Sequence, residues 1–129
     1  FKKEILKPTK IYSKEILKLS RQNLIHAAAH ITGGGLIENL LRSIPKHLTC
    51  NIDLSKIKIL KIFKWLKSKK ISDQEMMKTF NCGVGFCIVA PKKNVYKIKK
   101  VFSKQFKPYE IGFISGDKNK IKLSNSLRW

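Results

Sequence analysis

The sequence has few cysteines and no long apolar segment. Its cysteines, Cys50, Cys82 and Cys87, contain no CxxC pair and leave one residue over, which argues against a disulfide framework and fits a reducing compartment. The longest apolar stretch, from Val84 to Ala90, is far shorter than the ~20 residues that a membrane-spanning helix needs. The N-terminus is charged and does not resemble a signal peptide. We therefore expect a soluble, cytoplasmic protein.

Acidic residues are scarce: there are 8 Asp and Glu against 28 Lys and Arg, and the formal net charge is +20. A basic nucleic-acid-binding module is therefore an alternative function, since clustered cations release counterions from a phosphate backbone. Only Arg21, Arg42 and Arg128 are arginines, although readout of base edges favours the guanidinium group. The lysines alternate with isoleucines along the whole chain, which is typical of an AT-rich coding sequence and of a solvated basic surface. We expect no specific nucleic-acid partner.

Apolar residues recur at two kinds of spacing. Helical spacing predicts helices from Ser13 to Asn23 and after the glycines at 33–35. Ser72 to Glu75 has the capping-box pattern, which predicts a helix that begins near Asp73. The run from Gly83 to Ala90 is almost continuously apolar and predicts a central strand that is buried on both faces.

The order of these segments indicates one domain, spanning residues 1–129 of a chain that is 43% hydrophobic. Helices that alternate with strands predict an α/β (α+β-like) fold, with a mixed β-sheet of about four to five strands flanked by helices. The chain starts at Phe1 instead of Met, so we expect a fragment of a longer protein.

The most informative motif is Thr32-Gly33-Gly34-Gly35, between a predicted strand and a predicted helix. Bare glycine backbone lets a ligand approach closely, and the helix start offers unpaired N–H groups to a phosphate. For the motif taken alone, a loose turn that only permits close strand–helix packing is slightly favoured over a phosphate site. His30, at the mouth of this turn, is a candidate proton donor or shuttle, or a histidine satisfied by backbone partners. His26 and His30 would lie ~13 Å apart on a strand, and with no third ligand in view we expect no metal site.

A second glycine motif, Phe80-Asn81-Cys82-Gly83-Val84-Gly85, leads into the apolar strand. Asn81 is suited to a left-handed position or to a side-chain hydrogen bond. Cys82 has no neighbouring base in sequence and is interpreted as a small buried residue, not a nucleophile.

Three segments resemble successive signatures of one enzyme family. PTKIY at Pro8 to Tyr12, AHITGGGLIENLLR at Ala29 to Arg42 and FNCGVG at Phe80 to Gly85 are similar, in order and spacing, to the C-terminal domain of phosphoribosylformylglycinamidine cyclo-ligases, also called aminoimidazole ribonucleotide synthetases. The HITGGG element distinguishes them from sister enzymes such as selenophosphate synthetase, which stays an alternative. Lys10 stands where the family usually has Arg, and Phe86 where Met is common.

The resemblance implies a function for the full-length protein. Family members use ATP to close the imidazole ring of formylglycinamidine ribonucleotide in purine biosynthesis. ATP and Mg²⁺ are bound mainly by an N-terminal domain, which this chain lacks, so we expect the fragment alone to bind no cofactor and to be inactive. The full-length protein is expected to be a homodimer. The residues that the resemblance assigns to substrate or phosphate binding are Lys10, Thr32, Gly33, Gly34, Gly35, Asn39, Asn81 and Gly83, with His30 as the candidate catalytic residue.

Overall fold

Short helices and strands alternate along the chain. The computed structural model describes residues 5–117 and 120–129. The sequence Gly116-Asp117-Lys118-Asn119 predicts a turn, of which Lys118 and Asn119 lie outside the described part. The elements are α1 Ser13–Arg21, β1 Ala27–His30, α2 Gly35–Ser43, β2 Thr49–Asp53, α3 Lys61–Lys67, α4 Asp73–Thr79, β3 Phe86–Val89, α5 Val95–Val101, β4 Gly112–Ser115 and β5 Ile121–Ser124, with 3₁₀ turns at Leu54–Lys56, Lys92–Asn94 and Lys104–Phe106. Within the described residues, none of the helices combines the length and the apolar character needed to cross a bilayer.

The strands form two sheets. Strands β1 and β3 pair antiparallel, and their register places Ala29 opposite Cys87 and His30 opposite Phe86. In the other sheet β2 lies between β4, to which it is antiparallel, and β5, to which it is parallel. The predicted α/β class with mixed strand directions is confirmed. The expectation that all strands share one sheet is corrected, because β2 takes its partners from the C-terminal end of the chain.

Strand β3 is shorter and less enclosed than predicted. It covers Phe86–Val89, with Cys87 as its buried residue, and β1 is its neighbour in the sheet. The first part of the apolar run is a turn, since Gly83 has a φ of +104°. The prediction of a strand buried on both faces is therefore wrong. Gly83 belongs to the turn and Val84 and Gly85 precede the strand, and the residues of β3 other than Cys87 are only partly buried.

The hydrophobic core lies where helix α2 meets the two sheets. Leu36 and Leu40 of α2 pack in one cluster with Ala29 of β1 and Ile52 of β2. Each fully buried leucine contributes about 1.5–3 kcal/mol relative to an exposed one. The same cluster includes Leu127 near the C-terminus, so the last residues belong to the core.

The C-terminal residue ties the tail to the α3–α4 junction. Trp129 donates its indole N–H to the Asp73 carboxylate at 2.9 Å. The Lys67 ammonium lies 2.5 Å from the same carboxylate and 5.6 Å from the centre of the Trp129 ring. One carboxylate at the start of α4 thus joins α3, α4 and the tail.

Helix α4 begins as the capping box predicts. Ser72 has extended backbone, and its Oγ accepts a hydrogen bond from the Glu75 N–H at 3.2 Å. The Glu75 carboxylate accepts a bond from the Thr79 hydroxyl at 2.6 Å. Half of the predicted box, the serine cap, is therefore present.

Removing this cap should destabilise the fold measurably. We expect Ser72→Ala to lower the free energy of unfolding by about 1 kcal/mol, because an N–H of the first turn loses its acceptor. The measurement is urea denaturation of this chain at an unchanged m value. The control is Ser103→Ala: Ser103 also precedes a helical turn with extended backbone but makes no side-chain cap bond. Equal losses in the two variants would contradict the capping role.

Candidate functional site

The pairing of β1 with β3 brings the two glycine motifs to the same end of one sheet. Strand β1 ends at His30, directly opposite Phe86, where β3 begins. One residue further on, the Ile31 N–H donates to the Gly85 carbonyl at 3.0 Å. The turn that follows β1 and the turn that precedes β3 therefore lie side by side. Both turns were predicted from their glycines, but their proximity depends on the strand pairing, since the motifs are far apart in sequence.

The three glycines after β1 have three different surroundings. Gly33 is exposed, and a Cβ at this position would have no atom within 4 Å. Gly34 caps helix α2 from the left-handed region with a φ of +90°, where serine or aspartate would be strained. Gly35 is buried at a φ of +62°, and a Cβ there would overlap the Met77 carbonyl of α4. Ligand approach is thus open at Gly33, whereas Gly35 serves the packing of α2 on α4.

Asn39 fixes the shape of this turn from inside. Its side chain is 8% exposed, and its Nδ2 donates to the Gly33 carbonyl at 3.1 Å and to the Gly35 carbonyl at 2.7 Å. On the outer side, the Glu38 carboxylate lies against Gly34 and is paired with Arg42. The negative charge of Glu38 would repel an anion bound at the helix start, and Arg42 offsets the charge of Glu38.

The second turn is fixed by an asparagine as well. The Asn81 Oδ1 accepts a hydrogen bond from the Gly83 N–H at 3.0 Å, which is the predicted side-chain bond. The left-handed residue is Cys82, with a φ of +50°. Cys82 is 4% exposed, so it is buried as the sequence indicated, and burial raises the pKa of its thiol to about 11. A Cβ at Gly83 would lie 2.8 Å from the Lys58 carbonyl.

Three rings surround the point where the turns meet. His30 is exposed and stacks on Phe86, with 5.6 Å between ring centres and 22° between planes. Tyr12 lies 5.1 Å from Phe86 and 6.1 Å from His30. Sequence analysis did not single out Tyr12 or Phe86 as site residues, although Tyr12 belongs to the PTKIY segment and Phe86 to a position where family members differ.

The sequence of this chain matches a known protein family. The sequence profile described as "AIR synthase related protein, C-terminal domain" matches residues 2–123. The chain belongs to this family. The match covers both glycine turns and strands β1 to β4, ends within β5, and confirms the resemblance drawn from the motifs.

Individual relatives cover most of this domain. The chain is 40% identical over 126 residues to a phosphoribosylformylglycinamidine cyclo-ligase of Prochlorococcus marinus, across 95% of this chain and 36% of that protein. It is 41% identical over 110 residues to the enzyme of the same name from Lactobacillus helveticus, across 84% of this chain and 32% of the relative. It is 44% identical over 92 residues to a bifunctional purine biosynthetic protein of Saccharomyces cerevisiae, across 70% of this chain and 12% of the relative. The chain therefore spans about a third or less of these relatives.

In this AIR synthase related domain, the Lys10 side chain contacts a carboxylate and aromatic rings of the same chain. Its ammonium lies 2.7 Å from Glu15 and its side chain is 12% exposed. It also lies 4.3 Å from the centre of the Phe106 ring. The hydrogen bond from Lys10 lowers the pKa of the Glu15 carboxyl. The structure thus places the Lys10 ammonium near the Tyr12 and Phe106 rings, paired with the Glu15 carboxylate.

Of the candidate residues, His30, Thr32 and Gly33 are exposed, whereas Gly35 and Asn39 are buried. Two shallow cavities, of about 290 and 140 Å³, are lined by other residues: Tyr96, Lys99, Lys100, Phe102, Lys104 and Lys107 in the larger, and Leu41, Ile44, Pro45, Lys46, Leu48 and Lys120 in the smaller. Among the described residues, no three His, Cys, Asp or Glu side chains come together as metal ligands would.

The different surroundings of the glycines predict different effects on stability. We expect Gly35→Ala to lower the free energy of unfolding by about 2–4 kcal/mol, because it adds left-handed strain and a collision with α4. Gly33→Ala, in open space, should change it by less than ~0.5 kcal/mol. Thermal unfolding of the two variants of this chain compares them directly. A Gly35→Ala variant as stable as Gly33→Ala would contradict the packing role.

Proposed function

We propose that this chain is the C-terminal, substrate-binding domain of a phosphoribosylformylglycinamidine cyclo-ligase. Family membership and the names of the relatives support this proposal. The observation that carries it is the juxtaposition of two glycine turns, the first of which leaves Gly33 bare beside a helix start. Relatives with the cyclo-ligase name favour this function over that of the sister enzyme selenophosphate synthetase.

The proposed reaction needs accurate positioning of one substrate. The formyl amide oxygen of formylglycinamidine ribonucleotide is phosphorylated at the expense of ATP, an amidine nitrogen of the same molecule attacks the activated carbon, and the oxygen leaves as phosphate. Because both reacting groups belong to one molecule, a protein accelerates ring closure mainly by holding nitrogen and carbon in near-attack geometry. This domain would hold the ribonucleotide, and an N-terminal domain would hold ATP and Mg²⁺ across a groove.

The glycine turn supplies the proposed phosphate contacts. Thr32 and Gly33 are exposed at the start of α2, so a hydroxyl and a backbone N–H can reach a phosphate near the positive end of the helix dipole. Asn39 keeps the turn in place through the Gly33 and Gly35 carbonyls. Because Glu38 lies on Gly34, we assign the phosphate to the Thr32–Gly33 side, where the Arg42 charge offsets the carboxylate.

His30 and the Asn81 turn complete the proposed surface. His30 is exposed and fixed by stacking on Phe86, which suits a side chain that donates or transfers a proton at the groove. The Asn81–Gly83 turn forms the opposite side of the same sheet end. The proposed assembly is a homodimer of the full-length protein in the cytoplasm, where three free thiols are stable.

Part of the basic charge has a structural role that does not involve nucleic acid. Each of the helices α1 to α5 carries a lysine or arginine in its last turn, among them Lys18, Arg42, Lys64, Lys78 and Lys99. Cations at these positions stabilise the helix ends. These helix-end cations therefore do not by themselves indicate a nucleic-acid-binding face.

Blocking the open glycine should weaken substrate binding without unfolding the domain. In the full-length enzyme we expect Gly33→Val to raise the KM for the ribonucleotide by about tenfold or more, because a side chain excludes the phosphate from the backbone. The KM for ATP should stay unchanged. The control is Gly116→Val, since Gly116 is also exposed with nothing within 4 Å of a Cβ. An unchanged KM for the ribonucleotide in Gly33→Val would assign this turn another role.

The two-domain division of labour can be tested with this chain alone. We expect the isolated chain to show no ATP-dependent ring closure, with or without added Mg²⁺, because the proposal assigns ATP and Mg²⁺ to an N-terminal domain. The assay follows formation of the aminoimidazole product, with the full-length enzyme as the positive control. Ring closure by the chain alone would refute the proposed division.

A further inference from the structure

A series of contacts runs from helix α1 to the meeting point of the glycine turns. Glu15 holds the Lys10 ammonium at 2.7 Å. That ammonium lies 4.3 Å from the Phe106 ring centre and 5.5 Å from the Tyr12 ring centre. Tyr12 in turn contacts Phe86 and His30. Lys10 and Tyr12 therefore lie on one physical path to the proposed proton-transfer residue.

Lys10 is poorly placed to bind a phosphate. Its side chain is 12% exposed, and its charge is already neutralised by Glu15. To reach a ligand the ammonium would have to give up a charge-assisted hydrogen bond and its contact with an aromatic face. A lysine held in this way fixes the geometry of its neighbours instead.

The Tyr12 hydroxyl occupies the space that a side chain at Gly85 would need. A Cβ added at Gly85 would overlap the Tyr12 hydroxyl and lie 3.2 Å from the ring carbon that carries it. The Gly85 carbonyl is the acceptor of the Ile31 N–H that joins the two turns. Burial raises the pKa of the Tyr12 phenol, and the Lys10 charge offsets part of that rise.

We propose that Lys10 and Tyr12 are positioning residues, which fix His30, Phe86 and the spacing of the two glycine turns without touching the substrate. This inference rests on the proposed function, because the geometry that it concerns is that of the ribonucleotide groove. It assigns the lysine in the PTKIY segment to the support of the groove and not to phosphate binding.

The first experiment distinguishes a positioning lysine from a phosphate ligand by the sign of an effect. In the full-length enzyme Glu15→Gln loosens Lys10, so a positioning role predicts a KM for the ribonucleotide that rises by about threefold. A ligand role predicts a lower KM, since the ammonium is freed from its carboxylate. The control is Glu110→Gln, because Glu110 is exposed and lies 4.0 Å from Lys99. An unchanged or lower KM in Glu15→Gln overturns the proposal for Lys10.

The second experiment tests the fit between Tyr12 and Gly85 with a double-mutant cycle. Gly85→Ala should raise the KM for the ribonucleotide about tenfold and lower the melting temperature. Tyr12→Phe keeps the ring and should change KM less than about twofold. The double variant should recover most of the loss, because the overlapping oxygen is gone. Gly116→Ala and Tyr96→Phe are the matched controls for an exposed glycine and an exposed tyrosine.

The outcomes separate this inference from the proposed function. If the melting temperatures couple but the KM values do not, Tyr12 is a packing residue and the positioning role is refuted, while the function stands. If Gly85→Ala and the double variant are equally impaired, the proposed fit is wrong. If the unaltered full-length protein catalyses no ring closure, the proposed function fails and the positioning role falls with it.

Discussion

The antiparallel pairing of β1 with β3 is the constraint on which the candidate site depends. Its register places His30 opposite Phe86 and continues in the hydrogen bond from Ile31 to Gly85. A slip of one residue would turn every side chain of β3 to the other face. Cys87 would then leave the core and Phe86 would leave His30. The burial of Ala29 and Cys87 thus holds both glycine turns in register.

The glycine turn after β1 is held in place on its inner side and is open at Gly33. Gly35 packs so closely on α4 that a Cβ has no room, and Asn39 occupies the carbonyls on both sides of Gly34. A Cβ added at Gly33 would have no atom within 4 Å. A ligand at Gly33 would find a backbone whose shape is already fixed, so little conformational entropy is lost on binding. The same residues that serve packing therefore also prepare the proposed site.

Sequence patterns predicted the local features of this domain and missed those that depend on distant partners. The cap at Ser72, the turn bond of Asn81 and the strand–turn–helix around the glycines are encoded within a few neighbouring residues. The division of the strands into two sheets depends on which distant segments pair with β2, and no short pattern contains that information. The internal orientation of Lys10 likewise depends on Phe106, which is far away in sequence.

The scarcity of carboxylates gives the Lys10–Glu15 pair its significance. With 8 acidic residues for 28 basic ones, most cations must find other partners. Lys58 lies over Tyr109, Lys69 over Trp65 and Lys100 over Tyr96, and Lys64 donates to a backbone carbonyl. Exposed contacts of this kind contribute little individually. The Lys10–Glu15 pair is different, since the Lys10 side chain is only 12% exposed. Its contacts also reach Tyr12 and, through Tyr12, the sheet end where the two glycine turns meet.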